Sequence, residues 1–152
     1  METLFETVVR YFTQEEWYFL KMDSRPTLQM SFNGSNGKWL CNANVNEEKG
    51  FFSFYSVCPI NVPEERRATV AEFLTRANYG LMIGNFEMDY RDGEVRYKTS
   101  LDVENSEINL SLIGNLVNVN LLMMDRYLPG ILMCIYGNET AEAAIHSIEG
   151  EG

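Results

Sequence analysis

Between residues 85 and 101 the chain spells out a β-hairpin, and that segment restricts the fold more than any other. Strand-like runs 85–90 and 95–101 flank Asp92-Gly93, a pair that favours the φ > 0 backbone of a two-residue turn. With that pair as the turn, Arg91 meets Glu94, Asp89 meets Arg96 and Glu87 meets Lys98, so three opposite-charge pairs stack on one face. Tyr90–Val95, Met88–Tyr97 and Phe86–Thr99 form the other face. Each such pair contributes roughly 0.2–1 kcal/mol, and a one-residue slip would bury the charges. A chain carrying this segment must build an antiparallel sheet with one wet and one dry side.

A second hairpin is expected over 27–33 and 38–46, around Asn36-Gly37. That turn sets Leu28 against Val45, Met30 against Ala43 and Phe32 against Cys41. The opposite face receives Gln29, Ser31 and Asn33 with Asn42, Asn44 and Asn46, the amide-rich side of a sheet covered on one face. A third strand, 51–57, has Phe52 and Phe54 on one face and Phe51, Tyr55 and Val57 on the other, so a cover is expected on both sides. The aromatic run Trp17-Tyr18-Phe19-Leu20 suits a short strand ended by Asp23-Ser24-Arg25-Pro26.

Helical spacing appears over 3–13, where Leu4, Phe5, Val8, Val9 and Phe12 share a face. It returns after Pro63-Glu64-Glu65, with Val70, Phe73, Leu74 and Ala77 as the buried stripe and Asn78-Tyr79-Gly80 as the stop. From Leu110 to Tyr127 the chain is apolar on most sides, and Pro129-Gly130 is expected to break or kink this helix before it resumes over 131–136. A last helix is expected over 139–148. The fold class read from this order is α+β: an antiparallel sheet of about five strands with helices packed on it. The 152 residues are read as a single domain, 1–152.

Chemistry is conspicuous by its scarcity. The only histidine, His146, sits on the last expected helix, where it reads as a solvated residue without a nucleophile and an orienting carboxylate around it. Cys41, Cys58 and Cys134 lack the spacing of a disulfide framework or zinc site, and each is expected to act as a small buried hydrophobe. No phosphate-binding or dinucleotide fingerprint appears, so no catalytic, metal or cofactor residue is assigned. The net charge of −10, with no Lys or Arg after Arg126, disfavours nucleic acid and anionic membranes. No run approaches the roughly 18 apolar residues of a spanning helix, and no leader pattern is seen at the N-terminus, so the chain is expected in the cytoplasm.

The positive signal is surplus apolar side chains. An all-round hydrophobic helix must be buried by its own domain or by a second copy. Trp17, Trp39 and Tyr55 are expected to be exposed aromatics, and Met123, Met124 and Met133 adaptable contacts; these six are the candidate protein-interaction residues.

Four blocks carry a family resemblance: Val62-Pro63-Glu64-Glu65-Arg66-Arg67, the stretch 76–101, Asp125-Arg126-Tyr127-Leu128-Pro129-Gly130, and the closing Glu142-Ala143-Ala144-Ile145. Together they resemble the YbjN family of bacterial sensory transduction regulators, particularly its cyanobacterial-type members. The resemblance implies a fold like that of type III secretion chaperones, commonly dimeric, with no known enzymatic activity. Asn85, Phe86, Asp92, Gly93, Tyr97 and Pro129 look architectural on that basis. The expected function is a non-enzymatic protein-binding regulator or chaperone-like adaptor, homodimeric and without cofactor. The alternative is a small-molecule sensor with an apolar pocket between sheet and helices.

Overall fold

Thr3 starts the first helix, α1 (Leu4–Gln14), through a reciprocal capping box: its hydroxyl accepts from Glu6 N–H, and the Glu6 carboxylate accepts from Thr3 N–H. The computed structural model describes residues 1–22, 24–104 and 106–150. After α1 come β1 (Leu20–Lys21), β2 (Thr27–Asn33), β3 (Lys38–Asn46) and β4 (Phe51–Val57). A 3₁₀ turn (Glu64–Arg66) leads into α2 (Arg67–Asn78), followed by β5 (Asn85–Asp89), β6 (Glu94–Asp102), α3 (Leu110–Tyr136) and α4 (Ala141–Glu149). The strands form one antiparallel sheet in the order β1-β2-β3-β4-β6-β5. It has six strands rather than about five, the shortest being the two-residue β1. That strand is also all that remains of the expected strand over Trp17–Leu20. Glu16 turns at φ 59 and Trp17 N–H reaches back to the Phe12 carbonyl, which folds Trp17 against α1 and delays the strand to Leu20. Asp23 of the expected turn lies outside the described residues.

Both hairpins keep their expected faces but shift by two residues. Leu28 pairs with Ala43, Met30 with Cys41 and Phe32 with Trp39. Phe86 pairs with Tyr97, Glu87 with Arg96 and Asp89 with Glu94. Two-residue turns at Asn36-Gly37 and Asp92-Gly93 would need positive φ at both central residues in the type I′ form; of the four, only Gly93 has it. The loops are four residues long, and each is closed by its own hydrogen bonds: Gly34 N–H to Gly37 O (2.7 Å) in one, Gly93 N–H to Asp89 O (2.7 Å) in the other. Asp89 and Asp92 also use their carboxylates to accept from Arg91 N–H and Glu94 N–H, a local bonding habit of Asp that favours the longer loop. Because the shift is even, no side chain changes face.

The dry face carries Leu28, Met30, Trp39, Cys41, Ala43, Phe52, Phe54, Tyr97 and Phe86, and the buried stripes of α1, α2 and α3 cover it. Val70, Phe73, Leu74 and Ala77 are buried as their spacing required. The second side of β4, expected to be covered, is covered only in part: Phe51 is 40% exposed and Tyr55 and Val57 are half-buried.

Of the break or kink expected at Pro129, the break does not occur: α3 runs on through it to Tyr136. Proline leaves the Asp125 carbonyl without its helical donor. Asn36 of the β2–β3 loop supplies a replacement, its Nδ2 donating to that carbonyl at 2.9 Å. Deeper in the same helix, Asn120 is fully buried and its Nδ2 lies 2.8 Å and 3.0 Å from the carbonyls of Phe54 and Tyr97, stitching α3 to β4 and β6.

Candidate protein interface

The six candidate residues do not form one site. Trp39 is 2% exposed and Met124 is fully buried, so both belong to the core. For Trp39 this follows from strand parity: 39, 41, 43 and 45 all point to the dry face, and the alternation that buries Cys41 buries Trp39 with it. Trp17, Tyr55, Met123 and Met133 are half-buried. Tyr55 is the one of the six on the wet face, beneath the Arg96 guanidinium at 4.2 Å from its ring centre. Met133 lies toward the far end of α3, where its carbonyl accepts the capping N–H of Gly137.

Trp17 leads to a surface that the sequence did not reveal. Its ring packs edge-on to Phe12 (5.6 Å) and stacks on Phe32 (5.9 Å). With Phe32, Leu121 and Leu122 it walls an open groove of about 710 Å³, whose rim is Asn33, Ser35, Asn118 and Asp125. Leu122 is 63% exposed there. The rim is fixed by Asp125, whose carboxylate accepts from the backbone N–H groups of Ser35 (3.0 Å) and Asn36 (2.8 Å). A side chain at Gly34 would meet that carboxylate and the Trp39 ring, so glycine is what lets the loop lie this close.

The wet face is a second open surface. Register lines up Ser31, Leu40, Val57, Arg96 and Glu87 in one row across the sheet, and Gln29, Asn42, Tyr55, Lys98 and Asn85 in the next. Leu40 is 52% exposed among the amides. Glu87 bridges Arg96 (2.8 Å) and Lys98 (3.1 Å). Partial burial alone would raise its pKa, but the hydrogen bonds from Arg96 and Lys98 outweigh this and hold the carboxyl below its ordinary value.

Reactive groups are few and sheltered. Burial pushes Cys41 up to about 12 and Cys58 and Cys134 up to about 11, far from the thiolate form a nucleophile needs. His146 is exposed on α4. Among the described residues no group of three or more His, Cys, Asp or Glu could hold a metal ion, and no helix is long and apolar enough to cross a membrane.

The sequence pattern of YbjN, described as "Putative bacterial sensory transduction regulator", matches residues 6–133. The chain belongs to the YbjN family. The crystal structure of YbjN from E. coli is similar to it over 95% of this chain and 93% of that one, at 13% identity and TM-score 0.60. Two protein complexes also share the fold. A chain of the HopA1–SchA chaperone–effector complex matches with 15% identity and TM-score 0.51, over 81% of this chain and 91% of its own. A chain of the ExsC–ExsE complex matches with 14% identity and TM-score 0.51, over 83% and 96%. No curated protein matches the sequence. At these identities the likeness is one of fold, the α+β, type III secretion chaperone-like arrangement that the YbjN resemblance implied.

Proposed function

We propose that this YbjN-family chain is a non-enzymatic, protein-binding regulator or chaperone-like adaptor that works in the cytoplasm as a homodimer. The observation that carries the reading is the Trp17 groove: an apolar trough with a rigid amide and carboxylate rim, suited to side chains of a partner rather than to chemistry. Two fold relatives are known from complexes with protein partners, which lends the reading weight by analogy. Trp17, Met123, Met133 and Tyr55 are the partly exposed members of the expected contact set.

Co-purification from native cells tests it. Leu122→Asp and Leu40→Asp alter exposed side chains outside the core, and circular dichroism is expected to show both variants folded. The reading expects Leu122→Asp to lose at least tenfold of whatever protein the native chain carries. Light scattering is expected to give about twice the 17.5 kDa of one chain; a strict monomer removes the homodimer.

A small-molecule sensor is the second reading, favoured by the size of the groove, which is within the roughly 300–1,000 Å³ of ligand pockets. A stoichiometric small molecule seen by native mass spectrometry, displaced by Leu122→Asp, would establish that reading instead.

A further inference from the structure

One whole face of the sheet lacks a full cover. Among the described residues, no side chain that β2, β3, β4, β5 or β6 turns to the wet side is buried. Apolar residues stand there nonetheless. Leu20, Leu40 and Phe51 are exposed, and Tyr55 and Val57 are half-buried. Register gathers four of them: Leu40 and Val57 are direct partners, Tyr55 lies in the next row, and Leu20 joins that row through Gln29. The described residues do not complete the second cover that the β4 pattern calls for.

The charge of this face differs from that of the rest of the chain. Its cations are Lys38, Arg96 and Lys98, with Arg91 at its margin bonded to Asp89. Its carboxylates are Glu87, Asp89, Glu94 and Asp102. Removing these four of each from the chain's 12 Lys and Arg and 22 Asp and Glu leaves 8 and 18, so the whole net charge of −10 lies off this face. In the three middle rows, through Ser53, Tyr55 and Val57, Glu87 is the one carboxylate among the described residues, and it is already bridged to Arg96 and Lys98. The amides of Gln29, Asn42, Asn44 and Asn85 share those rows.

We infer that this wet face is where a second copy of the chain docks, the two sheets packing face to face about a two-fold axis. Three arguments select that occupant. A two-fold interface must be self-complementary, and an amide, with both donor and acceptor, pairs with an amide of the other copy, whereas a field of one charge sign repels its own image. Two chains of net charge −10 repel wherever their outlying carboxylates meet, and the neutral face is where they approach with those carboxylates held apart. Five strands about 4.8 Å apart and seven residues at about 3.3 Å each give a flat footprint of roughly 550 Å². Side-chain relief adds to that, against the roughly 800 Å² per partner of a stable interface. The inference rests on the homodimer reading above and deepens it by assigning the face; Phe32 and the Trp17 groove belong to the opposite, dry side.

Sedimentation equilibrium on the full chain gives the dimer dissociation constant. Leu40→Asp sets a carboxylate in the middle of the face in both copies and is expected to raise that constant at least tenfold. Should this variant misfold by circular dichroism, the isosteric Asn42→Asp carries the same expectation. Met82→Asp adds the same charge at an exposed position in the α2–β5 loop and should leave the constant unchanged; an equal loss there would overturn the assignment. The native dimer should tighten as salt rises, because screening acts on repulsion between outlying carboxylates. A dimer that salt dissolves joins surfaces of opposite charge and overturns the assignment too. If Leu122→Asp dissociates the dimer and Leu40→Asp does not, the interface is the groove. Loss of a foreign protein from Leu40→Asp with the dimer intact hands the face to that protein and sinks the inference. A dimer indifferent to both Leu40→Asp and Asn42→Asp removes this face alone, whereas a chain monomeric at every concentration removes the homodimer with it.

Discussion

The two hairpins are built alike and held differently. Both close through four-residue loops ending in glycine, yet the β5–β6 loop has a backbone anchor at Gly93 beside side-chain bonds from Arg67 to Tyr90 O and Asn61 to Asp92 O, whereas the β2–β3 loop is tied to α3 through the side chains of Asp125 and Asn36. Val62 N–H donates to Gly93 O at 2.8 Å, and a Cβ at Gly93 would fall against the Val62 carbonyl. The other loop depends on the Asp125 carboxylate and on the exchange with Asn36. A backbone anchor constrains which residue fits; a side-chain anchor can be deleted one bond at a time.

That contrast can be broken from either side. Gly93→Ala is expected to have the largest effect, about 3 kcal/mol in urea unfolding, since it combines the left-handed penalty of an L residue with overpacking. Asp125→Ala should cost about 2 kcal/mol, because two backbone N–H groups lose a charged acceptor. Asn36→Ala should cost about 1 kcal/mol, and the double variant should cost less than the sum, since both act on one junction. If Asp125→Ala proved as costly as Gly93→Ala, the distinction between the two anchors would collapse.

The smallest effect is electrostatic. Hydrogen bonds from Arg91 lower Asp89 from 3.8 to about 2. A depressed folded-state pKa means stability that is present above the unfolded value and lost as pH falls through the folded one. The β5–β6 hairpin should therefore weaken between about pH 4 and pH 2, and Asp89→Asn should flatten that slope. The carboxylate lies at the surface, partly open to solvent, so the change should be small and sensitive to salt. The β2–β3 loop offers a sharper comparison if its amide exchange is followed over the same range.

Faces were legible in the sequence where registers were not. Alternation assigned Leu28, Met30, Cys41, Phe52 and Phe54 to the dry side, and an even shift cannot disturb that. The register depended on turn dihedrals, which are decided by tertiary contacts such as Asp125 to Ser35, ninety positions apart. The continuity of α3 through Pro129 was hidden for the same reason: the donor that rescues it comes from a distant loop. Of the candidate contact residues, Trp17 could be named from composition, but its partners Phe32 and Leu122 could not. Their meeting depends on how α3 crosses β2. Trp39 was misjudged because a large aromatic was weighed as an anchor when its own parity placed it inside.

The Gly34–Gly37 loop looks like a convenient surface turn for an epitope tag, an inserted domain or a circular permutation. It is instead the far half of a helix, since Asn36 completes the α3 hydrogen bonding that Pro129 leaves open. A protein engineer who cut the chain there would put at risk the donor that serves the Asp125 carbonyl, in a helix that begins more than seventy residues downstream.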